Sequence, residues 1–309
     1  MHFLMKAFIT GINGFVGRYL AKYLLEKGFE VTGIDRNSVE VKGCDVEECD
    51  ILDKEKVELL IEKIKPDVIF HLAALSSVKQ SFSNPEDTKK VSIEGTKNLF
   101  DAVIEANINP VILVISSLQV YGAPDKVPIT EDSELRPASP YAEAKVEQEK
   151  LCKEYFKKGL KIIITRSFNH TGPEQSEEFV WPSFAKQIAE IETGKRKEIK
   201  VGNLSVKRDF SDVRDIVRAY LLAVEKCEPG ETYNICSGKA YNIGEMLDIL
   251  KSYSTTDIQV IVEPSRLRKI DVPLLYGNNS KFFKATGWKP EIPFEQTLKD
   301  ILEYWRKRV

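Results

Sequence analysis

The sequence predicts an α/β protein whose first half is a doubly wound parallel sheet and whose second half adds a smaller α/β lobe. Three observations predict it. A short apolar run at 6 to 10 enters a glycine-bearing turn and then an amphipathic segment of helical period. Strand-like and helix-like segments then alternate to about residue 167. Two of the strands, Asp67-Val68-Ile69-Phe70-His71 and Val111-Ile112-Leu113-Val114-Ile115, are near-continuous apolar runs, as expected of strands covered on both faces.

Strands are expected at 6 to 10, 29 to 34, 43 to 46, 67 to 71, 111 to 115 and 161 to 165, and helices near 14 to 27, 53 to 64, 86 to 106 and 140 to 158. The first strand leads into Thr10-Gly11-Ile12-Asn13-Gly14-Phe15-Val16-Gly17. Gly11 allows a tight strand-to-helix turn, Gly14 removes a Cβ that would block a pyrophosphate, and Gly17 lets the helix lie close to the strand. This is the turn of a Rossmann-type sheet, spaced GxxGxxG. The second strand ends at Asp35, where a carboxylate meets an adenosine ribose and favours NAD; Arg36 beside it suits the phosphate of NADP or stacking on adenine. Asp50 and Ile51, after the third strand, are candidates to bracket the adenine. Ligands on such sheets lie outside the carboxyl ends of the strands, so Leu72, Ala73, Ala74, Ser116 and Ser117 should fall beside a nicotinamide. His71 reads as a packed strand-end residue rather than a catalyst.

Beyond about residue 167, prolines and glycines from Pro173 to Pro293 break the pattern into shorter pieces. The expected division is an NAD(P)-binding domain at 1 to 167, rejoined by a segment near 212 to 239, and a substrate domain at 168 to 309, with a cleft between them. The 309 residues carry a formal charge of −2 and are 42% hydrophobic. No basic patch suggests nucleic acid, and no apolar stretch suits a bilayer. Cys44, Cys49, Cys152, Cys227 and Cys236 are scattered without metal-ligand spacing, so neither a zinc site nor a disulfide framework is expected. The chain is expected to be cytoplasmic.

The chemistry rests on Ser139-Pro140-Tyr141-Ala142-Glu143-Ala144-Lys145. Pro140 suits a helix start, and Tyr141 and Lys145, four apart, share a face. A free phenol titrates near ~10, so Tyr141 needs a nearby cation to exchange protons at neutral pH, and Lys145 is placed to provide one. Ser117 is suited to orient the substrate oxygen. Hydride transfer at an alcohol or ketone carbon is the reaction class these residues predict.

Thr10 to Gly17, His71-Leu72-Ala73-Ala74, Ser116-Ser117 with Val120-Tyr121-Gly122, Tyr141 to Lys145, and Arg208-Asp209-Phe210 leading to Asp212-Val213-Arg214-Asp215-Ile216 together resemble the extended short-chain dehydrogenase/reductases that act on nucleotide sugars. Within that family, Phe168-Asn169-His170-Thr171-Gly172-Pro173 and Val201-Gly202-Asn203-Leu204 are most similar to GDP-4-keto-6-deoxy-D-mannose reductases and GDP-mannose 4,6-dehydratases. The resemblance implies a GDP-sugar substrate, an NAD or NADP cofactor and a homodimer formed through the helices at 86 to 106 and 140 to 158. It implies cofactor contacts from the glycine turn with Asn13, Phe15 and Val16, and from Asp35, Arg36, Asp50, Ile51, Leu72, Ala73, Ala74, Ser116, Tyr141, Lys145 and Phe168. Substrate contacts are implied at Ser76, Ser117, Asn169, Lys186, Arg208 and Arg268. Dehydratases of the family carry an acid two residues after the serine or threonine, and here that position is Gln119, which also departs from the reductase pattern. An amide cannot transfer a proton as a carboxylate does, which disfavours dehydration. The expected reaction is reduction of GDP-4-keto-6-deoxy-D-mannose to GDP-D-rhamnose, with a nucleotide-sugar 4-epimerase of the UDP-glucose type, a dehydratase, or a dinucleotide-binding regulator without turnover as the alternatives.

Overall fold

A computed structural model describes residues 4–37, 39–267 and 272–309. β1 (Lys6–Thr10) turns through the glycines into α1 (Phe15–Glu26), followed by β2 (Glu30–Asp35), β3 (Asp45–Glu48), α2 (Lys54–Ile64) and β4 (Val68–His71). A short α3 (Val78–Ser83) precedes the long α4 (Pro85–Glu105), β5 (Val111–Ser117), α5 (Pro140–Lys157) and β6 (Lys161–Ser167). The helix starts are written in the sequence. Asp53, Ser77 and Ser139 each accept a backbone N–H from the first turn of their helices, and Pro85 and Pro140 open α4 and α5 where a missing N–H costs nothing.

Two further elements complete this layer after an excursion. β7 (Asn169–Thr171), α6 (Val180–Glu192), β8 (Glu198–Val201), β9 (Lys207–Arg208) and β10 (Phe210–Asp212) lead away from the sheet, and α7 (Val213–Lys226) and β11 (Thr232–Ile235) return to it. β11 pairs in parallel with β6, Thr232 opposite Ile164. The resulting seven-stranded sheet is parallel throughout, in the order β11-β6-β5-β4-β1-β2-β3. One face buries Leu20 and Leu24 of α1 with Ile216 and Tyr220 of α7; the other buries Val57 and Ile61 of α2, Leu99 and Phe100 of α4 and Cys152 and Tyr155 of α5.

The remaining chain forms β12 (Tyr241–Asn242), α8 (Ile243–Ser252), β13 (Gln259–Val262), β14 (Leu274–Leu275), α9 (Ser280–Thr286) and α10 (Phe294–Arg306). α6, α8 and α10 enclose a separate apolar core around the fully buried Trp181, which meets Phe184, Phe210 and Phe294 edge-on. α9 instead packs Phe282, with Trp288 just beyond it, against the α7 side of the sheet.

The strand expected at 43 to 46 lies two residues later. Gly43 adopts a φ of 83° and Cys44 N–H closes a turn onto the Val41 carbonyl, so pairing with β2 begins only at Asp45. The fifth strand runs to Ser117, past the expected 115, because Ser116 and Ser117 still pair with Arg166 and Ser167.

Candidate active site

The strand order reverses between β1 and β4, and the ends of these strands open a crevice of the kind that receives ligands on doubly wound sheets. Gly11 has a φ of 75°, and a Cβ there would stand 3.0 Å from the Ala73 nitrogen. A Cβ on Gly17 would stand 2.3 Å from the Gly11 carbonyl oxygen, so only glycine lets α1 start this close to β1. Gly14 is the N-cap of α1, and no side chain caps that helix. Its first-turn N–H groups are therefore left for an anion. Nearby, the Asn13 side-chain oxygen is buried without a partner. Such an uncapped helix start beside an orphaned acceptor fits the polar pyrophosphate and ribose of a dinucleotide.

Asp35, at the tip of β2, accepts from Asn13 N–H (3.2 Å) and from Arg36 N–H (2.8 Å), fixing its carboxylate next to the glycine turn while Arg36 remains exposed. Asp50 accepts from Leu52 N–H at 2.9 Å, and Ile51 is buried against Gly95 of α4. Leu72, Ala73 and Ala74 follow β4, with Ala73 N–H donating to the Thr10 hydroxyl at 3.1 Å. Phe168 is buried between β6 and β7. Phe15 stacks on His170, 6.5 Å between ring centroids, and burial holds that imidazole below its ordinary pKa.

Ser117 ends β5 and its oxygen accepts from Gln119 N–H at 3.2 Å, so its own proton remains to be donated. That hydroxyl faces the Tyr141 phenol, close enough to act on its pKa. Burial pushes the phenol above its usual pKa, and the neighbouring Ser117 opposes that rise. The Lys145 ammonium lies 5.9 Å from the centroid of the Tyr141 ring and donates to the Ile115 carbonyl (2.8 Å) and to Gln148 Oε1 (2.9 Å). Burial lowers its pKa to about 8, which leaves it mostly charged at neutral pH. These three side chains can orient a substrate oxygen and exchange a proton with it.

A buried ion pair seats α5 on the sheet. Arg166 forks onto Glu149 (3.0 and 2.7 Å), Glu149 also accepts from the Ser116 hydroxyl, and Arg166 reaches the Tyr121 oxygen. A fully satisfied network of this kind fixes one register of the helix. The other end of that helix start is Ser139, whose hydroxyl oxygen accepts from Ala142 N–H at 3.2 Å. Ser139→Ala is expected to lower stability by about 1 kcal/mol in denaturant unfolding. An unaltered midpoint would show that the cap contributes nothing.

The remaining expected residues are dispersed. Asn169 Nδ2 donates to the Asp209 carbonyl at 2.9 Å, and Arg208 lies on β9 with one N–H on the Lys207 carbonyl. Ser76 is exposed on the loop before α3. Lys186 is engaged by Glu177 and Glu190 and sits over the Trp305 ring, an ion-paired surface arrangement. Arg268 lies outside the described residues. The motif reading quoted Thr10 only as the first residue of the glycine turn and did not reach Thr96 or Gln148, all three buried polar residues next to His71 and Lys145. Gln148 alone left a sequence signal, a polar residue three positions after Lys145 and so on its helix face.

Among the described residues, no cluster of three or more His, Cys, Asp or Glu is placed to hold a metal, and no helix is long and apolar enough to cross a membrane.

A parallel sheet with an uncapped glycine turn at its crevice and a Ser, Tyr, Lys set at the end of β5 and start of α5 defines the extended short-chain dehydrogenase/reductase class. A family model described as GDP-mannose 4,6 dehydratase matches residues 8–301, and the chain belongs to that family. It is 33% identical to the GDP-6-deoxy-D-mannose reductase of Pseudomonas aeruginosa, covering 98% of both chains. The solved structure of RMD from Pseudomonas aeruginosa complexed with NADPH superposes with a TM-score of 0.89, at 33% identity over 99% of this chain and 100% of that one. The UDP-glucose 4-epimerase of Thermotoga maritima, solved with UDP-glucose, gives a TM-score of 0.89 at 30% identity over 98% of this chain and 99% of that one.

Proposed function

We propose that this chain is an NAD(P)-dependent reductase of a 4-keto nucleotide sugar, and that its substrate is GDP-4-keto-6-deoxy-D-mannose, reduced to GDP-D-rhamnose. The observation that carries the reading is the Ser117 hydroxyl facing the Tyr141 phenol with the Lys145 ammonium over the same ring, in a chain whose position 119 holds an amide. When bound, the reduced dinucleotide supplies the hydride that C4 accepts. Ser117 donates to the C4 oxygen and orients it. Tyr141 gives that oxygen its phenolic proton, so the ketone becomes an alcohol, and the tyrosine regains a proton from solvent. Lys145 stabilises the transient phenolate. Gln119 offers no acid for elimination of water across C5 and C6. The resemblance in sequence to the Pseudomonas reductase supports both substrate and reaction.

The glycine turn would hold the pyrophosphate of the dinucleotide, and Asp35 and Arg36 would meet its adenosine ribose, a pair that suits both NAD and NADP. In this reading Asn169, Arg208 and Arg268 bind the sugar diphosphate, and a smaller domain from about residue 168 supplies them, with the segment near 212 to 239 returning to the dinucleotide-binding domain. Two copies pair through α4 and α5, which lie side by side on one face of the sheet. Five free thiols suit a reducing cytoplasm.

Mixing the purified protein with GDP-4-keto-6-deoxy-mannose and NADH or NADPH is expected to deplete the reduced dinucleotide and yield GDP-rhamnose. Unchanged dinucleotide absorbance with both cofactors overturns the reading. The epimerase alternative has a specific support, the 30% identity to a UDP-glucose 4-epimerase over nearly the whole chain. It predicts tightly held NAD in the purified protein and interconversion of UDP-glucose and UDP-galactose without added cofactor.

A further inference from the structure

Behind Lys145 runs a continuous chain of buried hydrogen bonds in which each proton can be assigned by elimination. Thr96 donates its hydroxyl proton to the Ser92 carbonyl one turn back, at 2.6 Å. The Thr96 oxygen must therefore accept from both of its other neighbours, Gln148 Nε2 at 2.7 Å and His71 Nε2 at 2.9 Å. His71 thus carries its proton on Nε2. Its Nδ1 is then an acceptor and takes the Thr10 hydroxyl proton at 2.8 Å, while the Thr10 oxygen accepts from Ala73 N–H. Because Gln148 points its NH2 at Thr96, its carbonyl oxygen faces Lys145 and accepts from the ammonium. With a second N–H on the Ile115 carbonyl, Lys145 keeps one donor for the cleft.

We propose that Gln148, oriented by Thr96 and by the Nε2-protonated tautomer of His71, is the positioning residue that aims the Lys145 ammonium at the Tyr141 site. The proposal deepens the assignment of Lys145 as the partner of Tyr141 and rests on it. The orientation has a chemical consequence. An amide turned the other way presents N–H to N–H and disfavours the charged lysine. His71 cannot supply a competing charge. It is buried, and burial together with the nearby Lys145 lowers its pKa to about 3. The other ionisable groups around Lys145 are Tyr141, Glu149 and Cys152 on its own helix, with Tyr220 of α7 beyond Tyr141. Glu149 is committed to Arg166 and Ser116, and burial pushes the Cys152 thiol up, so neither replaces Gln148 as the acceptor.

The test reads the groups themselves, without turnover. In protein labelled at lysine Cε, the resonance lost in Lys145→Met identifies Lys145, whose titration is followed in Thr96→Val, Gln148→Leu and Thr96→Ser. Losing the acceptor lowers the lysine pKa, so Thr96→Val and Gln148→Leu are expected to move the titration down by about one unit, and Thr96→Ser, which keeps the hydroxyl, rescues it. Nitrogen-15 spectra are expected to show His71 neutral and protonated on Nε2 between about pH 5 and 9. Where turnover of the 4-keto sugar is measurable, kcat should fall about tenfold in Thr96→Val and Gln148→Leu with KM within about twofold, and the alkaline decline of kcat should begin at lower pH. Folding of each variant is checked by near-ultraviolet dichroism, and the two disruptive substitutions at different positions guard against one failing to fold. An unmoved Lys145 titration in both, a proton on His71 Nδ1, or Thr96→Ser as impaired as Thr96→Val overturns the proposal. A wild-type protein inert toward every 4-keto sugar, with these titrations as expected, overturns the functional reading alone.

Discussion

Tyr141→Phe is expected to lower kcat for reduction of a 4-keto nucleotide sugar by about 10²–10⁴-fold, or about 3–5 kcal/mol of transition-state stabilisation, while dinucleotide binding is retained. The substitution removes one oxygen and keeps the ring, which lies beneath the Lys145 ammonium and is 9% exposed. The packing of α5 depends on Glu149, Arg166 and Cys152 rather than on the phenol oxygen, so the helix stays where it is. Ser117 keeps the Gln119 N–H. Rapid-mixing kinetics with either reduced dinucleotide, paired with a fluorescence titration of the same dinucleotide, separates the two effects. Full turnover in Tyr141→Phe removes the phenol from the chemistry, and joint loss of turnover and dinucleotide binding makes it a structural residue instead.

The parts of this molecule that were legible in sequence are those specified by short spacings. β1, the glycine turn and α1 are announced by an apolar run, three glycines and a helical period within twenty-one residues, from Lys6 to Glu26. Ser139, Pro140, Tyr141 and Lys145 mark one helix start and one face of it, and the Lys145 ammonium lies over the Tyr141 ring as that face requires. α3 escaped because six residues show too little of a period, and its cap, Ser77, looks like any loop serine. β9, β12 and β14 are two residues long, and their pairing is set by the lobe around them rather than by alternation. The partners of Lys145 were hidden for a different reason. Thr96 and His71 are 25 residues apart and Thr96 and Gln148 are 52 apart, and only the stacking of α4 and α5 on β4 brings them within hydrogen-bond distance. Local spacing carries no record of such meetings.

Gly17→Ala and Gly14→Ala are expected to fail in different ways. A Gly17 methyl would lie 2.3 Å from the Gly11 carbonyl oxygen, 2.6 Å from the Ile12 oxygen and 2.8 Å from the Ile12 carbon, all backbone atoms. That backbone is pinned, because Gly11 N–H and Ile12 N–H both donate to the Ile34 carbonyl of β2. Relief therefore requires α1 to lift off β1, opening the interface that buries Leu20 and Leu24. Overpacking of this kind costs about 1–3 kcal/mol of stability, and displacing the helix start should weaken dinucleotide binding by at least about tenfold. Gly14 has ordinary extended backbone, φ −65° and ψ 166°, and a methyl there meets only the Gly11 oxygen at 3.1 Å. Alanine needs the Gly11 oxygen to give by a few tenths of an ångström, so the loss of stability should be well below that of Gly17→Ala. The same methyl stands on the open side of the turn, next to the uncapped N–H groups of α1, where a pyrophosphate must approach. Dinucleotide affinity should again fall about tenfold, now with a smaller loss of stability. Denaturant unfolding and dinucleotide titration on both variants decide the matter. Unchanged stability in Gly17→Ala denies that close helix-to-strand packing needs a glycine, and unchanged affinity in Gly14→Ala denies that the phosphates lie on this turn.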